Sequence, residues 1–314
     1  MTTKLQNYIH LAGETAAQVT QNTENWISFL NTASWLYRYS FPDQLMIHAQ
    51  RPKATACAEY DLWNRRMARY IRRGSKGIGL VTFNRRGYPK MRYVFDIADT
   101  GKKNESASLF QWQYKEEYRS IVTKVLEEKF GASGEKGFVY QIGLLSMELA
   151  NGFWKNHHKD IMRECEGSRL EGLKKQEVSV KFRMAATASI SYVILSRCGI
   201  EPWQYLKNEY FQAIPDFNTQ KTVRVLGAAV SRSSEQVLRT VAVTIYDYEH
   251  EKQTAPTSDN AGDNQPPKDS VQEPDESKAD TAQKDDIKEP EPAAAETTDS
   301  ELNIGGTSGP RTAA

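Results

Sequence analysis

Residues 51–95 read RPKATACAEYDLWNRRMARYIRRGSKGIGLVTFNRRGYPKMRYVF. Twelve Lys or Arg stand between Arg51 and Arg92, against two acids, Glu59 and Asp61. The whole chain of 314 residues carries a net charge of only +1, so this excess of positive charge is local. Tyr60, Trp63, Tyr70, Phe83, Tyr88, Tyr93 and Phe95 are threaded through it. Cations that can grip phosphates, mixed with flat rings that can stack on bases, are the composition of a single-stranded nucleic-acid groove. The plainer alternative makes the rings the core of a small α+β unit and the cations its solvated face.

The same stretch sets the local fold. Residues 78–83 (IGLVTF) read as a strand, Asn84 to Pro89 as a hairpin loop, and residues 91–97 as the partner strand. On that second strand Met91, Tyr93, Phe95 and Ile97 alternate with Arg92, Val94 and Asp96, so one face is more apolar. A two-stranded hairpin is not stable alone and has to pack on the preceding helices. Before it, a helix is expected from about Ala58, with Arg65, Arg66 and Arg69 at its end and Arg65 and Arg69 on one face. Gly74 to Gly77 reads as a turn and Thr100 to Asn104 as a loop.

Outward from this stretch the period is helical. Residues 4–20 form a polar helix. Asn22 offers a cap for a helix burying Trp26, Phe29, Leu30, Ala33, Leu36 and Tyr37, and Pro42 opens a third helix that ends at Arg51-Pro52. Helices follow at about 115–130, 138–163, 178–198 and 220–249, with Gly199 beyond the end of the third of these. The fold class expected is α+β: a helical and β-hairpin domain over 1–110, a helical domain over 111–250, and a disordered tail over 251–314. That tail holds fifteen acids, six bases, seven prolines and no aromatic residue, too little apolar surface to offset ordering entropy. Its charge of −9 leaves about +10 on the rest. It could compete with DNA for the basic groove, which deletion of residues 251–314 tests at low salt.

No signal peptide and no window of 18 apolar residues are visible, so neither secretion nor a membrane span is expected. Cys57, Cys165 and Cys198 are odd in number, widely spaced and outside any zinc motif, which fits buried thiols in a reducing cytoplasm. Gly74-Ser75-Lys76-Gly77 precedes a strand where a nucleotide-binding loop would precede a helix, so it reads as a turn whose amides and Lys76 could meet a nucleic-acid phosphate. His157 and His158 are adjacent and leave a helix in different directions, and there is no HExxH. No catalytic residue, metal or cofactor is assigned.

Residues 29–81, FLNTASWLYRYSFPDQLMIHAQRPKATACAEYDLWNRRMARYIRRGSKGIGLV, resemble the N-terminal single-stranded-DNA-binding domain of the ArdC-like antirestriction proteins. The similarity is greatest to the form at the start of large methylase-helicase proteins of conjugative and integrative elements. It extends through RYVFDIADT (92–100), LSRCGIEP (195–202) and FNTQKTVRVLGAAVSRSSEQVLR (217–239). The resemblance implies a cytoplasmic α+β domain that handles or protects transferred single-stranded DNA. ArdC-type proteins carry a second, metalloprotease-like domain with HExxH; this sequence has no such motif, which puts a protease function in doubt.

The expected function is therefore non-enzymatic binding of single-stranded DNA. Arg51, Lys53, Arg65, Arg66, Arg69, Arg72, Arg73 and Lys76 are the expected phosphate contacts, extended by Arg85, Arg86 and Lys90. Tyr37, Tyr39, Trp63, Tyr70 and Tyr88 are the candidate stacking rings. The alternative is an interaction module whose basic face docks an acidic restriction or conjugation protein. A third reading makes the chain an accessory piece of a methylase or helicase, inactive without those domains.

Overall fold

A computed structural model describes residues 3–103 and 111–254, and for residues 253 and 254 the backbone only. All described residues belong to one compact unit, Met1–Ala255, so the expected tail lies outside them except at its start. Residues 251–254 are helical.

Three helices open the unit. α1 (Lys4–Val19) is started by a capping box between Thr3 and Gln6. α2 (Thr23–Trp35) is capped by Asn22, whose side chain accepts from the Asn25 N–H at 2.8 Å. α3 (Phe41–Gln50) has Pro42 in its first turn, where the missing N–H costs nothing. The later helices are α4 (Arg119–Phe130), α5 (Phe138–Glu164), α6 (Lys175–Arg197) and α7 (Gln220–Thr254).

The larger core is built round α6. Ala185, Ala186, Ser189, Ile190 and Ile194 are fully buried there, and the small side chains let neighbouring helices come close. The Trp26 indole of α2 donates to Ser189 Oγ at 2.8 Å. On α7, Gly227 faces the Phe41 ring so closely that a Cβ would collide with it. Helices α2 and α3, expected to belong to a domain of residues 1–110, thus share one core with α5, α6 and α7. Among the described residues α6 is also the one helix long and apolar enough to cross a membrane, with a mean hydropathy of 1.3 over 18 residues. Its place here is the middle of the bundle, with 72% of that window buried.

The smaller core joins Leu36, Met46, Ile47 and Ala54 to Ile78, Leu80 and Val94, with Leu11 and Ala12 of α1 against it. It is roofed by a three-stranded antiparallel sheet, in the order β1 (Cys57–Ala58), β4 (Pro89–Asp96), β3 (Ile78–Phe83). The β3–β4 register runs from Ile78 opposite Val94 to Phe83 opposite Pro89. β2 (Arg69–Ile71) and β5 (Thr100–Lys102) form a separate antiparallel ribbon.

Two local expectations are corrected. The helix expected from Ala58 is reduced to one π turn, Leu62–Arg66. Ala68 then takes φ +47, which ends helical continuation, and Arg69 enters β2, so Arg65 and Arg69 do not share a helix face. The loop expected at 100–104 is β5 over residues 100–102, drawn into a ladder by β2, and Asn104 lies outside the described residues. The more apolar face of β4 is not the one that packs inward. Val94 and Asp96 are buried, while Tyr93 is 36% exposed. The inward charged groups are tolerated because each has a partner, although the buried Arg92 Nε has none of its own among the described residues. Arg92 donates to Asp43 at 2.7 Å, and Asp96 accepts from the N–H groups of Thr55, Ala56 and Ala98 at 2.9–3.2 Å.

Candidate nucleic-acid interface

Because β4 packs through Val94, its other face is turned outward. Residues directly opposite in the ladder point to the same side. Gly79, Val81 and Phe83 of β3 therefore share that face with Tyr93, Met91 and Pro89, and Gly77 and Phe95 continue it. The face carries no charged side chain of its own, and from Leu62 to Phe95 the chain contains no acid.

At the base of the hairpin this face opens into a cleft of about 610 Å³ lined by Lys4, Tyr8, Gln50, Arg51, Lys76, Tyr93 and Phe95. Glycines make it possible. A Cβ on Gly77 would press on Phe95 and Tyr93, and one on Gly79 would strike the Tyr8 ring and the Met91 methyl. Without side chains at 77 and 79 the rings lie directly against the β3 backbone. Gln50 fixes the free edge of β3. Its amide donates to the Gly79 carbonyl at 2.8 Å and accepts from the Gly79 N–H at 2.9 Å, which completes the pairing a further strand would supply.

Three cations surround the rings. Lys4 Nζ lies 5.0 Å from the Tyr93 ring centroid, and hydrogen bonding with the Tyr93 side chain raises its pKa. Arg51 is held by Asp99 at 2.6 Å, an ion pair that neutralises much of its charge. Lys76 is exposed on the turn and has no ion-pair partner among the described residues. The cleft thus combines flat apolar surface with two cations free to meet an anion.

Of the eleven cations expected to contact DNA, Arg51 and Lys76 line this cleft. Arg72 and Arg73 are exposed on the adjoining turn, with the Arg72 N–H bonded to the Asp99 carbonyl at 2.8 Å. Arg85, Arg86 and Lys90 are exposed at the far end of the hairpin. The remaining four do not line the cleft. Lys53 and Arg66 are exposed, Arg65 is an exposed partner of Asp61 at 3.5 Å, and Arg69 donates to Thr100 Oγ1 at 2.7 Å.

The stacking candidates divide by burial. Trp63 is 1% exposed and its indole donates to the Phe95 carbonyl at 2.8 Å. Tyr37 is 5% exposed beside Trp112 and Arg197, and Tyr39 bonds the Cys57 carbonyl at 2.7 Å. These three serve the interior and cannot offer a face to a base. Tyr70 and Tyr88 are exposed, Tyr70 with its ring against Gly101.

Sequence reasoning missed Lys4, Tyr8, Tyr93 and Phe95 as site residues. The available signal was the pairing of a glycine-bearing strand with an aromatic one, which sets rings beside positions that have no side chain. The spacing of Lys4 and Tyr8 is one helical turn.

Among the described residues no group of three His, Cys, Asp or Glu could hold a metal ion. His157 lies against the Phe153 ring and His158 bonds the Lys155 carbonyl. All three cysteines are free thiols. Burial pushes Cys198 up to about 12 and raises Cys57 and Cys165 as well. No family model, no curated protein and no solved structure matches this chain.

Proposed function

We propose that this chain binds single-stranded nucleic acid along the outer face of the β3–β4 hairpin, with no chemical step. The observation that carries the reading is the cleft at the hairpin base, where Tyr8, Tyr93 and Phe95 sit among Lys4, Arg51 and Lys76. Bases stack on the rings and phosphates meet the cations. Each stacked base contributes about 1–3 kcal/mol, with little dependence on sequence because every base has a π face. Arg73 at the turn and Arg85 and Arg86 at the hairpin tip extend the track. The resemblance of residues 29–81 to the single-stranded-DNA-binding domain of ArdC-like antirestriction proteins supports DNA as the ligand, in handling or protection of the DNA of a mobile element. The same cations would attract an acidic protein. The Tyr93 ring, 36% exposed, with Tyr8 and Phe95 partly exposed beside it, favours nucleic acid.

The test is a fluorescence-anisotropy titration of a labelled single strand, with a duplex of the same sequence beside it. If about six cations each displace a counterion from a phosphate, the slope of log affinity on log salt is about −4. Raising salt fourfold then weakens binding by about two orders of magnitude. Tyr93→Ala with Lys76→Ala is expected to weaken single-strand binding at least tenfold. Absence of binding at low salt, or equal binding by that variant, rejects the proposal.

A further inference from the structure

The hairpin tip is more than a turn closing two strands. Asn84 ties it down. Its backbone N–H donates to the Tyr88 carbonyl at 2.9 Å, and its side-chain oxygen accepts from the N–H groups of Arg86 and Tyr88, both at 2.9 Å. Gly87, at φ +77, bonds the Asn84 carbonyl at 2.9 Å. On this fixed loop stand Phe83 and Tyr88, 66% and 65% exposed, the two most exposed large apolar side chains among the described residues. Arg85, Arg86 and Lys90 stand beside them, all exposed.

This end of the hairpin also projects beyond the body of the molecule. On the inward face Ile78, Leu80 and Val94 are buried, but Lys90, which follows them toward the tip, is exposed. Among the described residues the last side chain on that side of β4 tied to a helix is Arg92, through Asp43. Two rings on a held, two-stranded arm, flanked by cations and no acid, have apolar surface to lose to a partner and charge suited to a polyanion.

We propose that the tip is a wedge whose rings stack on the terminal base pair where a single strand meets a duplex, so that the protein prefers such junctions to single strand alone. The inference rests on the proposed single-strand track. On the outer face the cleft ring Tyr93 stands opposite Gly79, and Phe83 at the tip lies four residues further along β3 on the same side, about 14 Å along a strand. That is the length of about four stacked nucleotides at ~3.4 Å each. A strand lying in the cleft therefore reaches Phe83 after about four nucleotides, and a duplex beginning there abuts the tip. Apolar side chains set against base steps are an established means of prying them apart.

The experiment compares a single strand with a duplex bearing a tail of about six nucleotides, labelled with 2-aminopurine at the first paired position. The junction is expected to bind about tenfold tighter than the single strand, with a rise in 2-aminopurine fluorescence as the end pair unstacks. In Phe83→Ala/Tyr88→Ala the ratio of the two affinities falls to about one and the rise disappears, while Phe83→Tyr/Tyr88→Phe keeps both. Tyr93→Ala/Lys76→Ala lowers both affinities and preserves their ratio. Equal affinity for junction and single strand, or a preference that survives loss of both rings, overturns the wedge and leaves the track standing. Binding of neither DNA overturns both.

Discussion

Gly79 shows how much a single residue decides here. Its N–H and carbonyl are taken by Gln50, and its outer side is filled by the Tyr8 ring. Gly79→Ala places a methyl against that ring and the Met91 methyl. Since overpacking typically costs about 1–3 kcal/mol, the urea midpoint is expected to fall by that equivalent. Single-strand affinity falls with it, because Tyr8 is pushed out of the cleft. His48 makes a second residue-scale case. Burial lowers its pKa from 6.5, and its Nδ1 lies 2.7 Å from Thr32 Oγ1. That hydroxyl lies 2.7 Å from the Pro52 carbonyl, so it donates there and accepts from His48. The unfolded chain takes up a proton as pH falls through 6.5, whereas the folded ring resists until its lower value. The stabilisation is therefore complete above 6.5 and is lost on acidification. Urea melts between about pH 7 and pH 5 are expected to show a smaller loss for His48→Gln than for the parent. An equal loss in both would contradict this assignment.

At the scale of elements, the hairpin was legible from alternation and turn residues, and β3 and β4 fall where the pattern puts them. Helices were legible too, with Asn22, Pro42 and Gly199 marking ends as their chemistry requires. Burial of β4 was not legible. Its inward face carries Arg92 and Asp96, and only their tertiary partners, Asp43 and the amides of residues 55, 56 and 98, make that face the buried one. For the same reason Tyr93 and Phe95 are not distinguishable in the sequence as site residues, whereas Trp63, buried with its indole on the Phe95 carbonyl, reads there as a stacking ring. The β2–β5 ribbon pairs residues 69–71 with 100–102, too far apart for local pattern to reveal. The edge clamp gives an element-scale prediction. Gln50→Ala leaves a buried N–H and carbonyl of Gly79 without partners, at about 1–3 kcal/mol each. Hydrogen exchange at Gly79 is expected to accelerate strongly while exchange at Val94, on the central strand β4, changes less. Unchanged protection at Gly79 would show that the clamp is dispensable.

For the whole molecule, the near-zero net charge conceals a division between a basic body and an acidic C-terminal sequence. Within the body, the larger core braces the smaller one through α2 and α3, and the smaller core turns one apolar strand face outward between two groups of cations. The account stands on that face being where nucleic acid lies. Ultraviolet crosslinking of a thymidine-rich single strand to the protein, followed by peptide mass spectrometry, tests this most directly. The account predicts adducts on Tyr8, Tyr93 and Phe95, abolished by competitor single strand and weakened by salt. Efficient crosslinking confined to the surface of α5 and α6, with the hairpin and α1 unmodified, would contradict it.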